Sequence, residues 1–212
     1  MMLNCPLCEQ QCNDLFFEEP RRSYLRCQHC ALVFVPPNQR LNSVQEKAEY
    51  DKHQNAPDDM GYRRFLSRIA DPLMKRIPPC AQGLDFGCGP GPTLSVMLEE
   101  QGHKIALFDV FYFPDTQVWQ ADYDFITATE VIEHLFQPGK ELKRLWSHLK
   151  PNGHLALMTK LVKDVDAFSR WHYKNDPSHV CFFSTHTLDW LADAWQADLD
   201  YCADDAFIFT KR

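Results

Sequence analysis

The stretch Gly83-Leu84-Asp85-Phe86-Gly87-Cys88-Gly89-Pro90-Gly91 constrains the fold of this chain more than any other. A short apolar run enters a turn with glycine at alternate positions, and a helical pattern from Thr93 to Glu100 follows at once. Strand, glycine turn and helix in that order predict the ligand-binding turn of a doubly wound α/β sheet. Glycine has no Cβ, so the turn can bend tightly and a ligand can approach its backbone. The first turn of the helix then offers unpaired N–H groups. The spacing departs from the G-x-G-x-x-G of dinucleotide sites. Here the run is Asp85-x-Gly87-x-Gly89-x-Gly91, with an acid two residues before the first glycine and Pro90 and Pro92 stiffening the turn.

Three further stretches extend the pattern. The run Lys104 to Asp109 reads as a strand ending in an acid, about twenty residues after the glycine turn. A carboxylate there can accept both ribose hydroxyls of an adenosyl ligand, or be an ordinary solvated strand-end acid. A strand at Tyr123 to Thr129 leads into Glu130-Val131-Ile132-Glu133-His134-Leu135. An amphipathic helix, Lys140 to Leu149, is followed by the turn Lys150-Pro151-Asn152-Gly153 and a strand from His154 to Thr159.

In order, the glycine turn, the Glu130–Leu135 stretch and Leu149-Lys150-Pro151-Asn152-Gly153-His154-Leu155 resemble three motifs of the class I S-adenosylmethionine (SAM)-dependent methyltransferases. The resemblance implies an α/β fold: a Rossmann-like methyltransferase sheet with helices on both faces. It implies SAM as cofactor, bound through Asp85, Gly87, Gly89, Gly91, Asp109 and Glu130. One segment departs from the family. Only Val110 to Asp122 separates the second strand from the next, too short for a helix, a third strand and an adenine-contacting acid. Any third strand is confined to a short piece around Val118-Trp119-Gln120, and aromatic Phe111-Tyr112-Phe113 is expected to wall the adenine pocket instead.

Ahead of this domain, Cys5-Pro6-Leu7-Cys8 and Cys27-Gln28-His29-Cys30 are separated by 18 residues. Two C-x-x-C turns at this distance predict a tetrahedral structural Zn²⁺ site of Cys5, Cys8, Cys27 and Cys30 in a small zinc ribbon. Cys12 and His29 are read as bystanders. The organisation expected is a ribbon at 1–36, a helical linker or lid at 37–80 and the methyltransferase domain at 81–212. Within the linker, Ser43 to about Lys52 and Gly61 to about Arg76 read as helices, the second capped by Asp58 or Asp59. Between them, Tyr50, His53, Asn55 and Gly61-Tyr62 read either as a hinge over the site or as a plain polar loop.

The acceptor side is read from two stretches. Glu130, Glu133 and His134 lie at i, i+3 and i+4 and would share one face of a helical turn. Glu133, His134 and His179 are the candidate catalytic residues, with His179 as general base. A competing reading places a second divalent cation on Glu130, Glu133, His134 and His179, because E-x-x-E-H resembles the metal motif of small-RNA 3′-terminal 2′-O-methyltransferases and ubiquinone-pathway O-methyltransferases. A third makes Glu133 and His134 part of a structural hydrogen-bond network. The segment 161–184 interleaves aromatics with His172, Asp176 and His179, and in this superfamily it supplies acceptor recognition.

Composition limits the partners. The net charge of −7 is concentrated after residue 80, where 11 basic residues face 19 acidic ones. That opposes a nucleic-acid backbone as main partner, leaving Arg21, Arg22 and Arg26 for a local contact. The expected acceptor is a small or medium-sized molecule methylated on oxygen, nitrogen or carbon. The alternatives are an RNA-modifying methyltransferase that uses the ribbon, or a non-catalytic binding module. No run reaches the length of a membrane span, and the first residues lack a signal pattern. With nine cysteines this predicts a reducing, cytoplasmic location.

Overall fold

A computed structural model of the chain describes residues 3–11, 13–52 and 56–212. Cys12, His53 and Asn55 lie outside the described residues. At the N-terminus, strands β1 (Asn13–Glu19) and β2 (Arg22–Cys27) form a hairpin, and β3 (Val33–Phe34) pairs antiparallel with β2. The two cysteine turns are built alike. Cys5 N–H donates to Gln10 O and Glu9 N–H to Cys5 O; Cys27 N–H donates to Leu32 O and Ala31 N–H to Cys27 O. In each turn the residue after the second cysteine is left-handed, Glu9 at φ 65° and Ala31 at φ 57°.

Two helices follow. Asn42 caps α1 (Ser43–Tyr50) with a capping box to Gln45, and Asp59 caps α2 (Met60–Met74). The central sheet then begins with β4 (Gln82–Phe86), α3 (Thr93–Glu99), β5 (Lys104–Phe108) and β6 (Tyr123–Thr129). It continues with α4 (Pro138–Ser147), β7 (Leu149–Met158), α5 (Val165–Ser169), β8 (Cys181–Phe182), α6 (Thr185–Trp195), β9 (Asp198–Ala203) and β10 (Ala206–Thr210).

The strand order is β5-β4-β6-β7-β10-β9, parallel from β5 through β7, with β10 antiparallel to both neighbours. This is the predicted Rossmann-like methyltransferase sheet. Its strands send alternate residues to opposite faces. Phe125, Ala156, Met158 and Ile208 pack with Leu66, Ile69 and Leu73 of α2 and Leu94 of α3. Ile126, Leu155, Leu157, Phe207 and Phe209 pack with Leu142 and Leu145 of α4 and Leu188 of α6. Phe207 and Phe209 are fully buried, each worth roughly 1.5–3 kcal/mol of transfer free energy.

No third strand forms at Val118-Trp119-Gln120, the short piece to which any such strand is confined. The segment is a 3₁₀ helix, Thr116–Gln120, with Asp115 capping it and Val118 buried. Trp119 stacks edge-on against Phe108 at 5.0 Å, so this turn plugs the sheet edge with an aromatic instead of extending it. Among the described residues, β5 is therefore the outer strand.

The ribbon does not stand apart. Its sheet is completed by β8, which pairs with β3 through Val33↔Phe182 and Phe34↔Cys181. Its core residues Leu32, Phe34 and Tyr24 belong to the same apolar cluster as Phe182 and Leu142. At the start of α4, Gly139 N–H donates to Pro6 O at 3.1 Å, and a Cβ on Gly139 would fall 2.2 Å from Leu7 O. Only glycine allows the first cysteine turn to sit there. Among the described residues no helix is long and apolar enough to cross a membrane.

Candidate functional site

One cavity of about 520 Å³ lies at the carboxyl ends of β4, β5 and β6. At one end is the glycine turn. Gly87 (φ 72°) and Gly89 (φ 63°) are left-handed, and a Cβ on Gly87 would meet Val131 at 2.5 Å. Gly89 N–H donates to Asp109 Oδ2 at 3.1 Å, while the other oxygen of Asp109 accepts from Phe111 N–H and Tyr112 N–H at 2.8 and 3.1 Å. The acid at the end of β5 thus ties the glycine turn to the aromatic loop after it. Gly91, Phe111 and Tyr112 line the same end. Asp85 also reaches the wall, but its carboxylate is held from inside by Ser95 Oγ (2.8 Å) and Thr127 Oγ1 (2.7 Å). Burial pushes its pKa up to about 6 despite these two donors.

The other end gathers the acceptor candidates. Glu130 ends β6 in a left-handed conformation (φ 55°), and the 3₁₀ turn Ile132–His134 follows. That turn does not place Glu133 and His134 on one open face: Glu133 is fully buried, while His134 lines the cavity. Tyr173 bridges the acids. Its hydroxyl lies 2.5 Å from Glu133 Oε1, 3.4 Å from Glu130 Oε2 and 3.2 Å from Thr159 Oγ1. The second oxygens, Glu130 Oε1 and Glu133 Oε2, are buried with no hydrogen-bond partner. Burial, then the charge of Glu133, pushes Glu130 up to about 8; burial pushes Glu133 up to about 7 against the Tyr173 hydrogen bond.

His179 is buried beside His134, with ring centroids 4.6 Å apart. Its Nδ1 donates to Tyr173 O at 2.7 Å, which directs the Nε2 lone pair elsewhere. Burial, then His134, pushes its pKa down to about 4, with Asp176 at 3.8 Å opposing. Ligand atoms of Glu133, His134 and His179 all lie within 4.8 Å of one another. Asp176 and Tyr173 line the cavity; His172 is exposed and Trp171 faces a separate groove. Glu46 and Tyr50 of α1 and Tyr62 of α2 also line the cavity, with Tyr50 donating to Glu46 at 2.7 Å and its ring 5.1 Å from His134.

The four ribbon cysteines converge as a second cluster. Cys5 and Cys30 sulfurs are 3.6 Å apart, Cys8 and Cys27 3.5 Å, and all four lie within 4.8 Å. Metal–thiolate bonds of about 2.3 Å in a tetrahedron place sulfurs roughly 3.8 Å apart, so the donor set suits such an ion. His29 is not in the cluster; it accepts from Trp190 Nε1 at 3.2 Å.

The methyltransferase-domain family model matches residues 52–201, most of the chain. The chain belongs to the methyltransferase-domain family. Among solved structures, this methyltransferase domain resembles the 1,6-didemethyltoxoflavin-N1-methyltransferase of Burkholderia thailandensis, solved with 1,6-didemethyltoxoflavin and S-adenosylhomocysteine. The TM-score is 0.52 at 15% identity, over 93% of this chain and 97% of that one. A SAM-dependent methyltransferase from Archaeoglobus fulgidus follows, with a TM-score of 0.51 at 17% identity over 65% and 71%. An O-methyltransferase family protein from Burkholderia thailandensis gives 0.50 at 11% identity over 71% and 55%. At these identities the likeness is one of fold. No curated protein matches the chain.

Two groups central to the site escaped the sequence. Tyr173 reads in sequence as one of the aromatics interleaved through 161–184, not as the hydroxyl shared by two acids. Arg22 reads in sequence as part of a basic cluster, whereas in the fold it is spent on the 174–179 loop, more than 150 residues away. Periodicity and spacing carry no signal for contacts at that separation.

Proposed function

We propose that this protein transfers the methyl group of SAM to a small or medium-sized acceptor within the cavity described above. The observation that carries the reading is that a single cavity joins the glycine turn and Asp109 to Glu130, His134 and His179. Donor and acceptor ends are therefore within reach of one another, which in-line transfer needs. Bound SAM supplies an already activated sulfonium methyl. Gly89, with nothing within 4 Å of its Cβ position, leaves room for the ligand to approach the backbone, Gly87 lets Val131 pack against the turn, and Asp109 Oδ2 is the candidate acceptor for a ribose hydroxyl. Tyr50, Tyr62 and Glu46 cover the cavity and limit water. His179, neutral with Nδ1 committed to Tyr173, offers Nε2 to the acceptor proton.

A second reading has a specific observation in its favour. Glu133 Oε2 is buried without a donor beside His134 and His179, as a divalent cation site would require. A histidine depressed to about 4 is a poor base at neutral pH but an available ligand. A cation held by Glu133, His134 and His179 would acidify a hydroxyl acceptor. The four ribbon thiols are assigned to structural Zn²⁺. Against an RNA substrate stands the cavity wall, which among the described residues carries Glu46, Asp85, Asp109, Glu130 and Asp176 and no lysine or arginine.

The test is transfer of label from methyl-labelled SAM to panels of phenols, amines, hydroxy acids and oligoribonucleotides, with and without added Mg²⁺ or Mn²⁺. Label on a neutral or cationic small molecule is expected. Label confined to the oligoribonucleotides, or none despite bound SAM, contradicts the proposal.

A further inference from the structure

We infer that Arg22, on the ribbon hairpin, is a positioning residue that holds the 174–179 loop so that Tyr173, Asp176 and His179 face the cavity. The inference rests on the proposed function only for what that loop does.

The guanidinium makes a fan of contacts to four carbonyls of the loop. Nη1 donates to Asp176 O at 3.0 Å and lies 3.5 Å from Lys174 O; Nη2 donates to Pro177 O at 2.9 Å and to His179 O at 2.8 Å. Tyr173, Asp176 and His179 of the same stretch line the cavity, whereas the Lys174 side chain turns back to the hairpin. Asp176 Oδ1 accepts from Ser178 N–H, His134 Nδ1 lies 3.2 Å from Ser178 O, and Tyr173 O accepts from His179 Nδ1. The converging carbonyl dipoles need a cation between them, and only the planar fork of arginine reaches all four from one side chain.

Two neighbouring contacts anchor the same loop to the same hairpin. The buried Lys174 ammonium pairs with Glu19 at 2.8 Å, and Tyr24 donates to Glu19 at 2.9 Å and approaches Lys174 O at 3.3 Å. Downstream, β8 continues the loop into the ribbon sheet. The β1–β2 hairpin is thus the back wall of the acceptor end, and the ribbon acts on the site through it without lining the cavity itself.

The readout is the imidazole Nδ1–H resonance of His179 in the full chain, protected from exchange by Tyr173 O and assigned by its absence in His179→Gln. In Arg22→Ala and Arg22→Lys this resonance is expected to vanish, and amide exchange at Ser178–Val180 to accelerate by about tenfold or more. Ribbon zinc content and affinity for S-adenosylhomocysteine should stay within about twofold, since neither involves the loop. Millimolar guanidinium should restore the resonance in Arg22→Ala. An unchanged resonance in both variants overturns the inference. So does its loss together with zinc and protection throughout the central sheet, which would make Arg22 a general stabiliser. Failure of wild type to bind S-adenosylhomocysteine would sink the proposed function and leave the resonance comparison standing.

Discussion

The carbonyl of Tyr173 accepts from His179 Nδ1 at 2.7 Å while the phenol of the same tyrosine donates to Glu133 at 2.5 Å. A carbonyl can only accept, so His179 carries its proton on Nδ1 and keeps Nε2 free of it. One residue therefore sets a histidine tautomer through its backbone and holds a buried carboxyl through its side chain. The acceptor end is ordered by Tyr173 more than by either acid.

Tyr173→Phe separates these roles, because the backbone carbonyl remains. Glu133 loses the phenol that donates to Oε1, while Oε2 is already without a partner. The cost is expected to be about 1–3 kcal/mol by urea unfolding at pH 8. It should shrink at pH 6, where Glu133, already raised to about 7 and raised further by loss of the phenol, is protonated and neutral. A cost equal at both values contradicts this account.

Asp85 gives a cleaner pH effect. Its folded pKa, about 6, lies above the ordinary 3.8, so the folded state holds a proton that the unfolded state has released. Its contribution is full below pH 4 and is lost as pH rises through 6. The difference in stability between wild type and Asp85→Asn should therefore move, in favour of the variant, by on the order of 3 kcal/mol from pH 4 to pH 7. A difference that is flat with pH would show that Asp85 ionises freely.

Gly139→Ala tests the docking of the ribbon. The new methyl would strike the Leu7 carbonyl, a backbone atom that cannot step aside. Destabilisation of about 1–3 kcal/mol is expected in thermal or urea unfolding. The same substitution at Gly102, which has nothing within 4 Å of its Cβ position, pays only for its left-handed backbone.

For the four thiols, metal analysis of the purified protein should find about one zinc per chain. Cys27→Ser should lower it and loosen β8 together with the ribbon, because both share one sheet. Exchange at Phe182 that stays slow in the zinc-depleted protein would contradict the coupling.

Most of the fold was legible in sequence because the signals are local. Glycine alternation at Gly87 and Gly89, a cap such as Asp59, and the short apolar runs ahead of Asp109 and Glu130 each report on a few adjacent residues. The cysteine pairs were legible for the same reason, since each turn closes on itself. What the sequence did not yield was long-range. Val118 to Gln120 reads as the place to which any third strand is confined, but the fold uses Trp119 to pack on Phe108 and makes a 3₁₀ turn. The merging of β8 into the ribbon sheet, and the hold of Arg22 on the loop, depend on contacts across nearly the whole chain. At the site, Asp109, Glu130, His134 and His179 fall on one cavity, while Asp85 and Glu133 prove to be held from within.

A SAM site between the glycine turn and Asp109 is open to calorimetric titration with S-adenosylhomocysteine. Saturable binding at one site per chain is expected, weakened by about tenfold or more in Asp109→Asn, whose amide has one acceptor oxygen where the carboxylate has two. No binding to the wild-type chain, or binding indifferent to Asp109→Asn, would contradict the SAM site.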